Sequence, residues 1–194
     1  QTAILDRLND SLCNAVTGQA NGREILESLE RANLFIIPLD TERQWFRYHH
    51  LFSDLLKQRL RNTQPGLVAK LHSNASRWYA RHDYQLSSIQ HAMAGDDFEL
   101  AAELIEANAL MLIGQGAHAT LQKWIASLPK QLVHNRPYLC IYHAWTLYFT
   151  HQLEAVESAL NNALNALNAL QLAEHDDVNK DIQGHIATLR AQKA

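Results

Sequence analysis

The amino-acid sequence predicts a mainly α protein in which one β-hairpin interrupts a long succession of amphipathic helices. Three observations carry this expectation. Apolar residues recur at helical spacing almost from end to end, a pair of β-rich runs flanks one polar turn near residue 40, and beyond residue 62 the helical stripes follow one another without a further strand signal.

The first helix is expected from about Ala3 to Asn14, on the spacing of Ile4, Leu5, Leu8 and Leu12. A second opens at Asn21-Gly22-Arg23-Glu24, where Asn21 can cap the free amides while Glu24 reaches back. Leu34–Leu39 and Gln44–Tyr48 are β-rich and flank Asp40-Thr41-Glu42-Arg43, which reads as a hairpin. Leu51, Phe52, Leu55, Leu56 and Leu60 then return to helical spacing. Helix, helix, two-stranded wing, helix is the outline of a winged-helix domain, placed at residues 1–62 because Asn62-Thr63-Gln64-Pro65-Gly66 breaks the pattern.

From residue 63 to 194 the expectation is a helical-repeat domain of tetratricopeptide-like type. Leu67, Val68, Leu71, Ala75, Trp78 and Tyr79 make one stripe; Leu86, Ile89, Ala92 and Met93 make another, ending at the capping candidate Gly95. Phe98 to Ile105 forms a third. Leu121, Trp124, Ile125 and Leu128 stop at Pro129, Pro137 opens a further helix, and Leu153 to Leu170 carries a long one. Paired helices with small residues at Ala144, Ala155 and Ala163 resemble a solenoid with a period of about 34 residues. His151 and His82-Asp83 stand where such a turn usually has glycine, so either turn must avoid a positive φ or adopt it at some cost. The run NNALNALNAL at 161–170 is the packing face of a repeat helix, and the helical look of both chain ends suggests a piece of something longer.

Composition narrows the function. The 194 residues are 47% hydrophobic and 19% charged, with a net charge of -3, so there is no basic field for phosphate backbones. The helix in the recognition position reads EILESLER, three glutamates against one arginine, which disfavours DNA reading by the wing. No apolar run reaches the roughly 18 residues that span a bilayer, and Cys13 and Cys140 lack metal spacing, so a cytoplasmic protein with two packed thiols is expected, with no membrane partner. His49-His50 raises the question of chemistry. The pair lacks HExxH spacing, and no phosphate loop, GxSxG or readable Cys/His pair accompanies it, so neither metal nor catalysis is expected. On pattern alone both histidines could simply start a helix.

The passages ERANLFIIPLD (30–40) and WFRYHHLF (45–52) closely resemble the middle of the MalT-like large ATP-binding regulators of the LuxR family, bacterial signal-transduction ATPases with numerous domains. LCNAVTG (12–18), Trp78-Tyr79, Ile89-Gln90-His91-Ala92, Leu128-Pro129 and Ala144-Trp145 extend the resemblance along nearly the whole chain. It implies a regulatory piece of an ATP-dependent transcriptional activator: a winged helix that clamps the nucleotide-bound resting state, then the start of a sensor for an inducer or regulatory protein. The implied partners are the protein's own ATPase domain, a small-molecule inducer or regulatory protein on the repeats, and further copies on activation. Promoter DNA would be met only through a C-terminal helix-turn-helix outside these residues. ATP or ADP would be bound by the parent protein and no cofactor by these residues, the ATPase module too lying elsewhere. Related ATPases carry a Met-His-Asp motif whose histidine contacts the ADP phosphate. Tyr48-His49-His50 resembles it, with Tyr48 for Met and His50 for Asp, which implies a nucleotide-phosphate contact at His49 with Arg47 and His50 as helpers. The alternative reading is a stand-alone helical-repeat interaction scaffold, with Trp78, Trp124, Trp145 and Tyr148 as its candidate partner surface.

Overall fold

The computed structural model describes residues 1–170 and 176–193; positions 171–175 and 194 of the expected repeat segment lie outside the described residues. The chain forms two compact units, Gln1–Asp97 and Phe98–Ala194. The first contains a 3₁₀ turn at Thr2–Ile4, α1 (Asp10–Thr17), α2 (Gly22–Arg31), β1 (Ile36–Pro38), β2 (Phe46–Tyr48), α3 (His50–Thr63), α4 (Pro65–Arg81) and α5 (Gln85–Ala94). The second contains α6 (Phe98–Gly114), α7 (His118–Ser127), α8 (Lys130–His134), α9 (Pro137–Phe149), α10 (Leu153–Ala169) and α11 (Asp176–Lys193). The architecture is mainly α: a winged helix with one hairpin, followed by helical repeats.

The opening helix is shorter than expected. Leu8 exchanges both backbone hydrogen bonds with Phe46, at 2.7 and 2.8 Å, and so extends the hairpin by a third, bridge-length strand. The apolar spacing of Ile4, Leu5, Leu8 and Leu12 serves this path of 3₁₀ turn, bridge and helix as well as it would one continuous helix, because all four are buried. Asn9 decides where the helix begins: its Oδ1 accepts from the Leu12 amide at 2.7 Å, which satisfies one of the orphan donors of the first turn of α1. The far end of α1 closes on Gly18, at φ +73°.

The start of α2 is also built differently from the expected box. Asn21 makes no capping bond; instead Asn14, reaching over from α1, accepts the Gly22 amide at 2.8 Å. A β-carbon on Gly22 would sit 2.7 Å from that Oδ1 and 2.8 Å from the Asp10 carbonyl, so glycine permits the close approach of the two helices. The wing pairs Ile36 with Tyr48, Ile37 with Arg47 and Pro38 with Phe46. Asp40 holds its turn closed, accepting from the amides of Gln44 and Trp45 at 2.8 and 2.9 Å through its two oxygens.

One core runs through the first unit. Leu8, Leu12, Val16, Leu26 and Phe46 are buried with Leu60, Leu71, Ala75 and Tyr79, so α4 packs into the same apolar cluster as the wing. Val16's carbonyl accepts from the Asn74 amide and Ser11 from the Trp78 indole N–H, at 3.2 and 2.9 Å. Between α4 and α5, Ser88 donates to the Ser76 carbonyl at 2.9 Å, and a β-carbon on Gly95 would lie 2.9 Å from that of His72. Gly95 itself has φ -97°, and the left-handed position expected at this cap falls on Asp96, at φ +54°.

That cap is part of a recurring device. Asn33, Asp83, Asp96, Gly116 and His151 all have positive φ, and after each the next amide bonds a carbonyl five residues back. This is the geometry of a Schellman turn, which satisfies the last helical carbonyls. The turns at Asp83 and His151 therefore adopt the left-handed conformation without glycine. In the second unit Ala144 and Ala163 are fully buried where helices approach, whereas Ala155, expected in the same role, is exposed.

Candidate functional site

The N-terminus of α3 gathers the sequence-predicted residues. His49 is its N-cap, at φ -58° and ψ 136°; its amide donates to the Phe35 carbonyl at 2.7 Å, and its carbonyl accepts from Ser53 at 2.9 Å. The wing thus delivers the chain straight into the helix. No side chain caps the first turn, so amides at the positive end of a 14-residue helix are left for an external acceptor. The imidazoles of His49 and His50 lie 4.4 Å apart, His49 half-buried and His50 exposed, and neither ring makes a hydrogen bond among the described residues. Arg47 is exposed two residues back along extended backbone, on the side of the strand that His49 continues. Tyr48 turns the other way; its hydroxyl meets Thr2 Oγ1 at 2.8 Å, and burial raises its pKa.

Apolar side chains surround this end of the unit. Leu51 and Leu55 are 68% and 60% exposed on one face of α3, and Phe35, 59% exposed at φ +54°, stands 5.3 Å from the Phe52 ring. Two of the three glutamates of α2 have cationic partners: Arg23 pairs with Glu27 at 2.9 Å and Arg43 of the wing meets Glu30 at 3.4 Å, while Arg31 donates to the Glu27 carbonyl.

The aromatic residues expected on a partner surface are placed in different ways. Trp78 is 7% exposed, lies 3.9 Å from the His82 ring and has its N–H bonded to Ser11, so it belongs to the interior of the first unit. Trp145 and Tyr148 are half-buried and mutually perpendicular, with the Trp145 N–H donated to His185 at 3.1 Å. Trp124 is half-buried on α7. Cys13 and Cys140 are buried free thiols, each pushed up to about 12 by burial. Among the described residues no group of three or more His, Cys, Asp or Glu could hold a metal, and no helix is long and apolar enough to cross a membrane.

Two features escaped the sequence reading. His72 and His91 face each other across α4 and α5 with their Nδ1 atoms 2.9 Å apart, a pairing set by helix packing across 19 residues. In the second unit a cavity of about 490 Å³ opens among α7, α8, α9 and α10. Its one legible signal was the short interval between Pro129 and Pro137, too brief for a repeat helix, which folds as α8.

Three helices and a β-wing, with a bare helix start behind the wing, define a winged helix. Residues 1–68 match the MalT winged helix domain family. Across its whole length the chain is 29% identical to the HTH-type transcriptional regulator MalT of Yersinia pestis, over 192 residues that make up 99% of this chain and 21% of that protein. It is 31% identical to the serine/threonine-protein kinase PknK of Mycobacterium tuberculosis over 189 residues, 97% of this chain and 17% of that one. The chain is MalT-like over nearly its whole length, and it spans about a fifth of the length of the curated relatives it matches.

Proposed function

We propose that this segment is the regulatory part of an ATP-dependent transcriptional activator of the LuxR family. Its winged helix docks on the protein's own ATPase domain and clamps the resting state, and its helical repeats respond to an inducer or regulatory protein. The uncapped start of α3, with His49 and His50 beside it and exposed Leu51 and Leu55 around it, supports the reading best. Helix amides there favour an anion, and an imidazole adds a donor, so His49 meets the terminal phosphate of a bound ADP while Arg47 and His50 assist. The acid-rich α2 supports a protein-facing wing, and promoter contact falls to a separate helix-turn-helix. Inducer binding favours the open, ATP-bound form, which self-associates.

The test is ADP release from the full-length regulator carrying His49→Ala. One hydrogen bond to a charged group contributes about 1.5–3 kcal/mol, so release is expected to quicken by about tenfold or more. A release rate equal to the wild type would sink the assignment of His49 and leave it a packing residue of the wing.

A further inference from the structure

The cavity of the second unit has the size of a small-molecule site, within the range of roughly 300–1,000 Å³ typical of such pockets. Its origin is local. The five-residue α8 fills the interval between α7 and α9, and Cys140 on α9 ties it down by donating its thiol to the Val133 carbonyl at 3.2 Å. A space is left between this short helix and α10, where Ala155 and Ala159 present almost no side chain.

The lining has two parts. Leu128, Val133, Leu147 and Ala159 supply an apolar floor. Lys130, His134, His143, Ser158 and Asn162 supply the polar groups, and the lining contains no carboxylate. Asn162 Nδ2 lies 3.5 Å from His134 Nε2, bringing α10 and α8 together at the polar side. Lys130 makes no ion pair and the His143 ring no hydrogen bond among the described residues, although His143 is half-buried. Burial, and then the neighbouring His134, hold the His143 imidazole below its ordinary pKa, so at neutral pH it is an uncharged donor and acceptor. A cavity with an unpaired ammonium, unpartnered imidazole and no negative group complements an anion whose remainder is apolar.

We infer that the cavity among α7, α8, α9 and α10 binds a small amphipathic organic acid, its apolar body on Leu128, Val133, Leu147 and Ala159 and its carboxylate toward Lys130 and His134. This deepens the sensor reading of the repeats and rests on it only for what binding accomplishes; binding itself is a property of these residues.

The experiment is isothermal titration of the 194-residue chain with decanoate and with its uncharged counterpart decanamide. Decanoate is expected to bind saturably at one site. Lys130→Glu, at an exposed position, removes a charge-assisted contact and should weaken decanoate by about tenfold or more while leaving decanamide unchanged. Ala155→Trp, also exposed, should abolish binding by filling the space, with the circular dichroism spectrum unaltered. Absence of saturable heat, undiminished binding to Ala155→Trp, or equal affinity for decanoate and decanamide would overturn the inference. ADP release from the full-length regulator reports separately on His49, so the two assignments fail independently.

Discussion

Acid should loosen the α4–α5 hairpin through His91. Its ring is 9% exposed, stacks on Tyr79 at 5.2 Å between ring centres and shares a hydrogen bond with His72. Burial above all, then His72 and the more distant Lys57, outweigh the opposing pull of Asp6 and lower its pKa from 6.5 to about 4. Burial, followed by Arg61 and Lys57, lowers His72 as well. Two neutral rings can share one Nδ1 proton, whereas two imidazolium rings present donor to donor with like charges. Between pH 6.5 and 4 the unfolded chain therefore binds more protons at His91 than the folded one. The stability linked to this residue is complete above pH 6.5 and is lost as the pH falls toward 4. At pH 5 the loss amounts to about 2 kcal/mol, and the full shift corresponds to about 3 kcal/mol. Urea unfolding at pH 7.5 and pH 5 measures it, with His91→Gln as the non-titrating reference so that other groups cancel. The wild type should lose about 2 kcal/mol more than the variant over this interval. Identical pH slopes, or a His91 ring titrating near 6.5 by NMR, would refute the reasoning.

Two further substitutions probe the helix junctions. Gly22→Ala should destabilise the first unit by about 1–3 kcal/mol, because the new methyl meets Asn14 Oδ1 and the Asp10 carbonyl at under 3 Å. Gly66→Ala, with open space around its β-carbon, should cost nothing, and equal melting temperatures for the two variants would contradict the close-approach argument. His151→Gly should raise the melting temperature of the chain, since relief of the left-handed conformation at φ +59°, about 1–2 kcal/mol, exceeds the roughly 0.4–1 kcal/mol of added chain entropy. A lowered melting temperature would place the determinant of that turn in the side chain of His151.

Much of the fold was legible because its signals are local. The two β-rich runs around Asp40 become a hairpin, the proline at 137 opens α9 as expected, and NNALNALNAL buries Ala163, Ala166 and Leu167 on one face of α10. The opening segment was misread because burial spacing does not specify its geometry. Ile4 is buried in a 3₁₀ turn, and Leu5 and Leu8 in the non-helical stretch after it, where Leu8 bridges β2; the cue that overrules the helix is the capping asparagine at position 9. The missing glycines at His82-Asp83 and His151 left two outcomes open, and the structure takes the left-handed one at Asp83 and His151. At Gly95 the cue misled by one residue, because a close approach to His72 already required glycine there while Asp96 took the left-handed role.

The sequence by itself determined the order and type of the elements apart from the opening segment and α8, and the placing of Arg47, His49 and His50 where the wing meets α3, because spacing, capping and turn chemistry act over a few residues. Tertiary structure alone decided that Asn14 caps a neighbouring helix, that Trp78 is interior, that His72 meets His91, and that α8 leaves a cavity against α10. Each of these joins residues from different elements, and such contacts follow from how helices pack rather than from any pattern within one of them.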